Sequence, residues 1–232
     1  MRLDHLAELN AARRSRKAVI LITDPASGET EVLVEGQPVP AQLAEAAEKV
    51  FRSGKSGLID IDGRPLFFNV HLPPPRIVAI GAVHITQGLA RLAPVVGYDL
   101  TIIDPRTAFA TPERFEGVDL VADWPEDVLK ERLLDPYTAV AAVTHDPKID
   151  DFALAEALRC GCFYVGALGS RKTHGRRVER LLESGVTQAQ IDKIHAPIGL
   201  DIGASSPEEI ALAILAQIVA AFRRRSLSGG AT

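Results

Sequence analysis

Four short polar stretches, each directly after an apolar run, carry the residues of this chain that can do chemistry. They are Gly81–Ala82–Val83–His84, Asp104–Pro105–Arg106, Thr144–His145–Asp146 and Gly169–Ser170–Arg171. Between them they offer glycine turns with open backbone N–H groups, two imidazoles, two carboxylates and two guanidinium groups. That set suits the holding of an anionic ligand. A helix N-terminus carries unsatisfied N–H groups and partial positive charge, and arginine pairs with phosphate or carboxylate through two parallel hydrogen bonds.

The first stretch lies within RIVAIGAVHIT, residues 76–86, which starts as the first strand and phosphate turn of a nucleotide-binding βαβ unit does. Asp104 stands 23 residues after Gly81, where the acidic residue of such a unit belongs. A G-x-G-x-x-G turn would need glycine at 81, 83 and 86, but Val83 and Thr86 fill two of those places. A branched side chain at 83 obstructs the approach of a pyrophosphate, and Thr86 is expected to push the helix away from the strand; Gly88 does not restore the spacing. The reading disfavours NAD or FAD in the usual pose and leaves room for a single phosphate further out. Val83→Gly is expected to raise affinity for dinucleotides. His84 either donates to the phosphate or only caps the helix. Asp104 either takes ribose hydroxyls or closes a turn with Arg106 as a local ion pair.

In an open α/β sheet the ligand lies beyond the carboxyl ends of the strands, so the four stretches should meet over one crevice. Thr144–His145–Asp146 supplies a donor, a titratable ring and a carboxylate; the alternative is that Asp146 caps the next helix with His145 against it. Gly166–Arg171 is a second glycine-bearing loop before a helix, with Arg171 placed either to pair with an anion or to lie in solvent. The loop His195–Gly203 is apolar, with Asp201 and two glycines, and reads as a functional loop or lid. His84, His145, His195 and Asp201 lack the close spacing of metal ligands, so no metal is expected. Cys160 and Cys162 would point to opposite faces of a strand, which makes a bond between them poor geometry. They read as core or edge thiols in a reducing compartment, the cytoplasm.

The elements that must position these residues fall into two groups around Pro73–Pro74–Pro75. Residues 1–72 read as a small α+β domain, with strands at Ala18–Thr23, Glu31–Val34, Gly57–Ile61 and Leu66–Leu72, a helix near Pro40–Arg52, and a hairpin turn at Asp62–Gly63. Residues 73–75 are the linker. Residues 76–225 read as an α/β, Rossmann-like parallel sheet domain. Its expected strands are Arg76–Ile80, Asp99–Ile103, Leu120–Ala122, Ala139–Val143 and Phe163–Gly166. Its expected helices are His84–Val95, Glu126–Leu133, Asp150–Leu158, Lys172–Glu183, Gln188–His195 and Pro207–Arg224, with a further helix start at Thr111–Pro112–Glu113. Residues 226–232 read as a disordered tail. The 232 residues are 47% apolar, enough for a substantial core, and a net charge of −4 argues against nucleic acid as a partner. No apolar run is long enough to span a membrane, and the N-terminus lacks a signal-peptide cleavage pattern. The thin first domain makes a homodimer the expected assembly.

The stretches GAVHITQGLARLAPVVGYDLTIIDPRTAFATPERF, AVTHDPKIDDFALAEAL, CFYVGALGSRKTHGRRVERL and IHAPIGLDIGASSPEEIALAILAQIVA, in order over residues 76–224, resemble the Rossmann domain of the XdhC/CoxI family. These are accessory proteins of xanthine dehydrogenase, carbon monoxide dehydrogenase and related molybdenum hydroxylases. The resemblance implies a carrier rather than a typical enzyme. Such a protein binds molybdenum cofactor, as molybdopterin or its cytidine dinucleotide form, and delivers it to the apo-hydroxylase. It can also assist sulfuration with a cysteine desulfurase. Carried over by position, the pocket candidates are Gly81, Ala82, His84, Asp104, Thr144, His145, Gly169, Ser170 and Arg171. Residues 1–72 hold no counterpart of the G-S-x-S-G-G-C-V-E segment of longer members, so the chain resembles the shorter type. The competing reading is an NAD(P)-dependent oxidoreductase with a degenerate turn. A third is a regulatory or scaffolding module that binds no ligand.

Overall fold

A computed structural model describes residues 2–225; the tail expected at 226–232 lies outside the described residues. The described residues form two compact units, one of residues 2–73 with Arg223–Arg225, the other Pro74–Phe222.

The first unit holds α1 (Leu3–Arg14), β1 (Val19–Thr23), β2 (Thr30–Val34), α2 (Ala41–Ser53), β3 (Gly57–Ile61) and β4 (Arg64–His71). The strands form an antiparallel sheet in the order β2-β1-β4-β3. α2 is amphipathic and buries Leu43, Ala46, Ala47, Val50 and Phe51. α1 is absent from the sequence reading. Only Leu9 and Ala12 of it are buried, against Val19, Leu21 and Val34, so it carries no apolar stripe that could announce a helix.

The second unit holds β5 (Arg76–Ile80), α3 (His84–Leu92), β6 (Asp99–Ile103), β7 (Asp119–Val121), α4 (Pro125–Glu131), β8 (Thr138–Ala142), α5 (Pro147–Arg159), β9 (Tyr164–Ala167), α6 (Arg171–Glu183), α7 (Gln188–Ile191), β10 (Ile194–His195) and α8 (Pro207–Arg224). Six parallel strands take the order β10-β9-β8-β5-β6-β7. The sheet therefore starts in the middle, runs outward one way, and returns to build the other half from β8. The order reverses between β5 and β8, which is where doubly wound folds place their ligands. Alternate strand residues separate into two cores, as a sheet covered on both faces demands. Ile77, Ala79, Ala139 and Ala141 pack with Leu89 of α3 and Ile214 and Ile218 of α8. Val78, Ile80, Val140 and Ala142 pack with Val128 of α4 and Leu154 and Leu158 of α5. Gly88 has a specific task here: a Cβ on it would lie 2.7 Å from the Cβ of Ala211, so its glycine lets α3 and α8 close together.

Several elements depart from the sequence reading, four of them for a plain physical reason. α3 ends at Leu92 rather than Val95, because Pro94 has no N–H to extend it and opens a 3-10 turn at Pro94–Val96. α5 starts at Pro147, three residues early, with the Asp146 side chain accepting from the Lys148 N–H. No helix follows Thr111–Pro112–Glu113, which form turns. The helix expected at Gln188–His195 stops at Ile191, and Ile194–His195 instead pairs with Val165 and Gly166 of β9 as the sixth strand. The capping box of Thr187 and Gln190 starts that helix as read, but the open edge of β9 decides how soon it ends.

Candidate functional site

Gly81 and Thr144 meet at the strand-order reversal. Gly81 has φ +120°, and a Cβ there would stand 2.7 Å from Thr144 Cγ2. The turn itself is closed by its own bonds. The Gly81 N–H donates to the Ile103 carbonyl at 2.9 Å, the Ala82 N–H to Asp104 Oδ2 at 2.7 Å, and the Val83 N–H to Thr86 Oγ1 at 2.9 Å. Thr86 is fully buried, with its hydroxyl 2.6 Å from the Gly81 carbonyl. The Ala82 carbonyl accepts from Arg114 Nη1 at 3.0 Å. Val83 is only partly buried and packs against the core.

The anion this turn holds is the protein's own. Asp104 is 0% exposed and takes two side-chain hydrogen bonds from Arg106, at 2.9 and 2.8 Å, besides the Ala82 N–H. Burial alone would raise its pKa. The bonds from Arg106 and Ala82 outweigh that and hold the carboxyl below its ordinary range. Arg106 also lies over the Phe109 ring, 4.7 Å from its centroid. Asp104 and Arg106 thus form the local ion pair expected of that turn. His84 is exposed at the start of α3.

The β8 tip builds around Asp150, a residue the sequence reading treated only as a helix start. Asp150 is 1% exposed. It accepts from Thr144 Oγ1 at 2.7 Å and from the His145 N–H at 3.1 Å. Burial pushes its pKa up to about 6, against the Thr144 hydrogen bond and the positive field of Arg177. His145 takes a left-handed conformation, φ +67°, which turns its backbone N–H toward Asp150 while the residue stays exposed.

The β9 tip supplies the cations. Gly169, at φ +134°, brings the loop against Thr173 and Arg177, and Ser170 caps α6 by accepting from the Thr173 N–H at 3.2 Å. Arg177 is 2% exposed; its Nη2 donates to the Leu168 carbonyl at 2.9 Å, while Nε and Nη1 have no partner. Beside it lies a cavity of about 420 Å³ lined by His145, Lys172, Thr173, Arg176, Arg177 and Arg180 together with Pro147. Arg180 is bound through two hydrogen bonds to Asp151. Arg171, the sequence candidate for anion pairing, is exposed and does not line this cavity. The lining cations 172, 176 and 180 recur every four residues in KTHGRRVER, with 177 beside them. That helical spacing was the available signal.

Other candidates stand apart. His195 stacks on Tyr164 with ring centroids 4.8 Å apart. Gln217 of α8 accepts from both the Tyr164 hydroxyl and the Gly199 N–H, which ties the loop after β10 to that helix. Among the described residues no three His, Cys, Asp or Glu side chains gather as a metal set. Both cysteines are free, and burial raises both thiols, Cys160 to about 11. A larger cavity, about 640 Å³, lies in the first unit. Its lining carries charges of both signs, and Asp24 there is paired with Arg64, so it offers no comparable excess of either.

Residues 77–218 match the family model of the XdhC Rossmann domain. The chain belongs to the XdhC family. It is 32% identical over 153 residues to a probable xanthine dehydrogenase subunit of Bacillus subtilis (strain 168), covering 66% of this chain and 44% of that protein. It is 30% identical over 146 residues to the molybdenum cofactor insertion chaperone PaoD of Escherichia coli (strain K12), covering 63% of this chain and 40% of that protein. A solved structure from Bacillus halodurans, described as a xanthine dehydrogenase, superposes with a TM-score of 0.65 at 26% identity, covering 97% of this chain and 66% of that one. The chain spans less than half the length of the curated relatives it matches. No helix among the described residues of this XdhC chain is long and apolar enough to cross a membrane.

Proposed function

We propose that this XdhC chain holds molybdenum cofactor and delivers it to a xanthine dehydrogenase-type molybdenum hydroxylase. Its relatives carry names from that chemistry, and its own residues fit the group. The cofactor is a pterin with a phosphate end, and the crevice offers a buried guanidinium with two N–H-bearing atoms unpartnered. That guanidinium is the observation that carries the reading. The rival NAD(P)-dependent oxidoreductase needs a turn whose N–H groups face a pyrophosphate. Here those of Gly81, Ala82 and Val83 already donate to Ile103, Asp104 and Thr86.

When bound, the cofactor supplies the molybdenum chemistry, and the chain holds and shields it. Neither cysteine lines the cationic cavity and both thiols are raised. Sulfuration therefore falls, in this reading, to a separate cysteine desulfurase. A cytoplasmic homodimer completes the proposal. The test is to express the chain with cofactor synthesis, purify it, identify the bound small molecules by mass, and add the loaded protein to apo-hydroxylase. The expected result is a near-stoichiometric pterin, as molybdopterin or its cytidine dinucleotide form, that restores hydroxylase activity. Absence of any pterin together with tight NAD(H) binding would establish the oxidoreductase reading instead.

A further inference from the structure

We propose that the cavity between the His145 turn and α6 is an oxyanion subsite for a phosphate or diphosphate group, anchored by Arg177 and flanked by Lys172 and Arg176. It rests on the preceding reading for the identity of the natural ligand, though not for the site itself.

Four cationic side chains line the cavity, Lys172, Arg176, Arg177 and Arg180, and no carboxylate does. One of the four is internally neutralised: Arg180 is paired with Asp151. Arg177 is the anomaly. A guanidinium has five N–H donors, and burying one without partners is costly unless something binds them. Here Nη2 alone is used, by Leu168, while the residue is 2% exposed and borders the cavity. Nη2 spends one of its two hydrogens on Leu168, so its other hydrogen, with the unpartnered Nε or Nη1 beside it, makes the two-donor edge that takes two oxygens of one phosphate. The fold holds that edge still. Gly169 is the residue that lets the loop lie against Arg177, since a Cβ there would sit 3.3 Å from Thr173 Cβ and 3.9 Å from Arg177 Nη2. Lys172 and Arg176 are exposed at the rim, where their charge adds attraction without burial.

Asp150 does not take the anion's place. Its oxygens are engaged by Thr144 and the His145 N–H, and it makes no hydrogen bond to Arg177. The N–H groups of Gly81, Ala82 and Val83 donate to Ile103, Asp104 and Thr86, and the proposed subsite lies on the other side of the reversal point, at the β9 tip.

The experiment titrates the purified full chain with inorganic pyrophosphate and with inorganic phosphate, followed by calorimetry and by the ³¹P resonance. Wild type is compared with Lys172→Ala/Arg176→Ala and with Arg177→Gln. The expected result is saturable binding of either ion, weakened at least about tenfold in each variant, as loss of charge-assisted hydrogen bonds implies. Should Arg177→Gln fail to fold, the exposed pair decides, since those side chains make no internal contacts that folding needs. No saturable binding by wild type, or equal affinity in wild type and the exposed-pair variant, would overturn the site. Cofactor retention is read separately by mass in the same variants. Anion binding with no pterin in any preparation leaves the site standing and removes the carrier reading. Pterin retained equally by wild type and the exposed-pair variant, with no anion effect, does the reverse.

Discussion

Asp150 and Arg177 carry opposite charges, are 1% and 2% exposed, and do not bond to each other. Each acts on the other only through its field, with Arg177 favouring the ionised carboxylate and Asp150 the charged guanidinium. A pair of this kind would ordinarily close into a salt bridge. Here Asp150 is drawn to the β8 tip by Thr144 and His145, and Arg177 to the β9 tip by Leu168.

The Asp150 carboxyl gives stability a measurable pH dependence. Its folded pKa of about 6 lies above the value of 3.8 for an unperturbed Asp, so protonation favours the folded state. The penalty for charging it is absent below about pH 4 and complete above about pH 6. Relative to Asp150→Asn, wild type should gain about 2 kcal/mol between pH 7 and pH 4.5. Urea melts of both proteins at the two pH values measure this, and a constant difference would contradict it.

Asp104 predicts the opposite slope. Its pKa is held below the ordinary value, so its contribution is present above the usual carboxylate range and fades as pH falls through the folded pKa. Asp104→Ala leaves the Ala82 N–H and Arg106 without their partner. The expected cost is about 2 kcal/mol, less than for a wholly buried pair because the Arg106 side chain is 32% exposed. Arg106→Ala added to Asp104→Ala should cost little more, and full additivity in denaturant melts would show that the two residues do not act together.

At the reversal point, Gly81→Ala should destabilise by about 2–4 kcal/mol, through the positive φ and the collision with Thr144. Thr144→Ser removes the colliding methyl and keeps the hydroxyl that serves Asp150. The double variant should therefore recover part of the loss, and a cycle of thermal melts with no coupling between the two sites would refute the contact.

The turn after β5 should resist conversion. Val83→Gly restores one glycine of the dinucleotide pattern yet leaves the N–H groups of Gly81, Ala82 and Val83 bonded to Ile103, Asp104 and Thr86. NAD(H) fluorescence titration of that variant should stay flat, contrary to what the glycine pattern alone suggests. Saturable binding would show that the valine side chain was the obstacle.

The packing of α3 on α8 is set by one missing methyl. Gly88→Ala places a Cβ 2.7 Å from that of Ala211 and should cost about 1–3 kcal/mol. Ala211→Gly in the same chain should return part of this despite the lower helix propensity of glycine, which chemical denaturation can read directly.

Much of the architecture was written in local pattern. The apolar runs of β5, β8 and β9 are near-continuous because both faces of each strand are covered, and such runs announce themselves. The start of α8 was legible for the same kind of reason. Pro207 sits at its first turn, and the Glu209 carboxylate accepts from the Ser205 and Ser206 N–H groups, all within five residues. α1 and β10 were not legible. α1 buries too little of itself to leave a stripe, and β10 is two residues that become a strand only because β9 offers an edge.

The site divides along the same line. Residue types and helical spacing alone fixed that polar groups stand at the ends of β5, β6, β8 and β9, and that cations recur along one side of α6. Whether a donor in those groups is free is a property of what lies within about 3 Å of it, and those neighbours come from distant parts of the chain. Only the tertiary structure put Asp104 on the Ala82 N–H, 22 residues away in sequence, and Thr144 over Gly81. It also left Arg177, rather than Arg171, buried with Nε and Nη1 unpartnered.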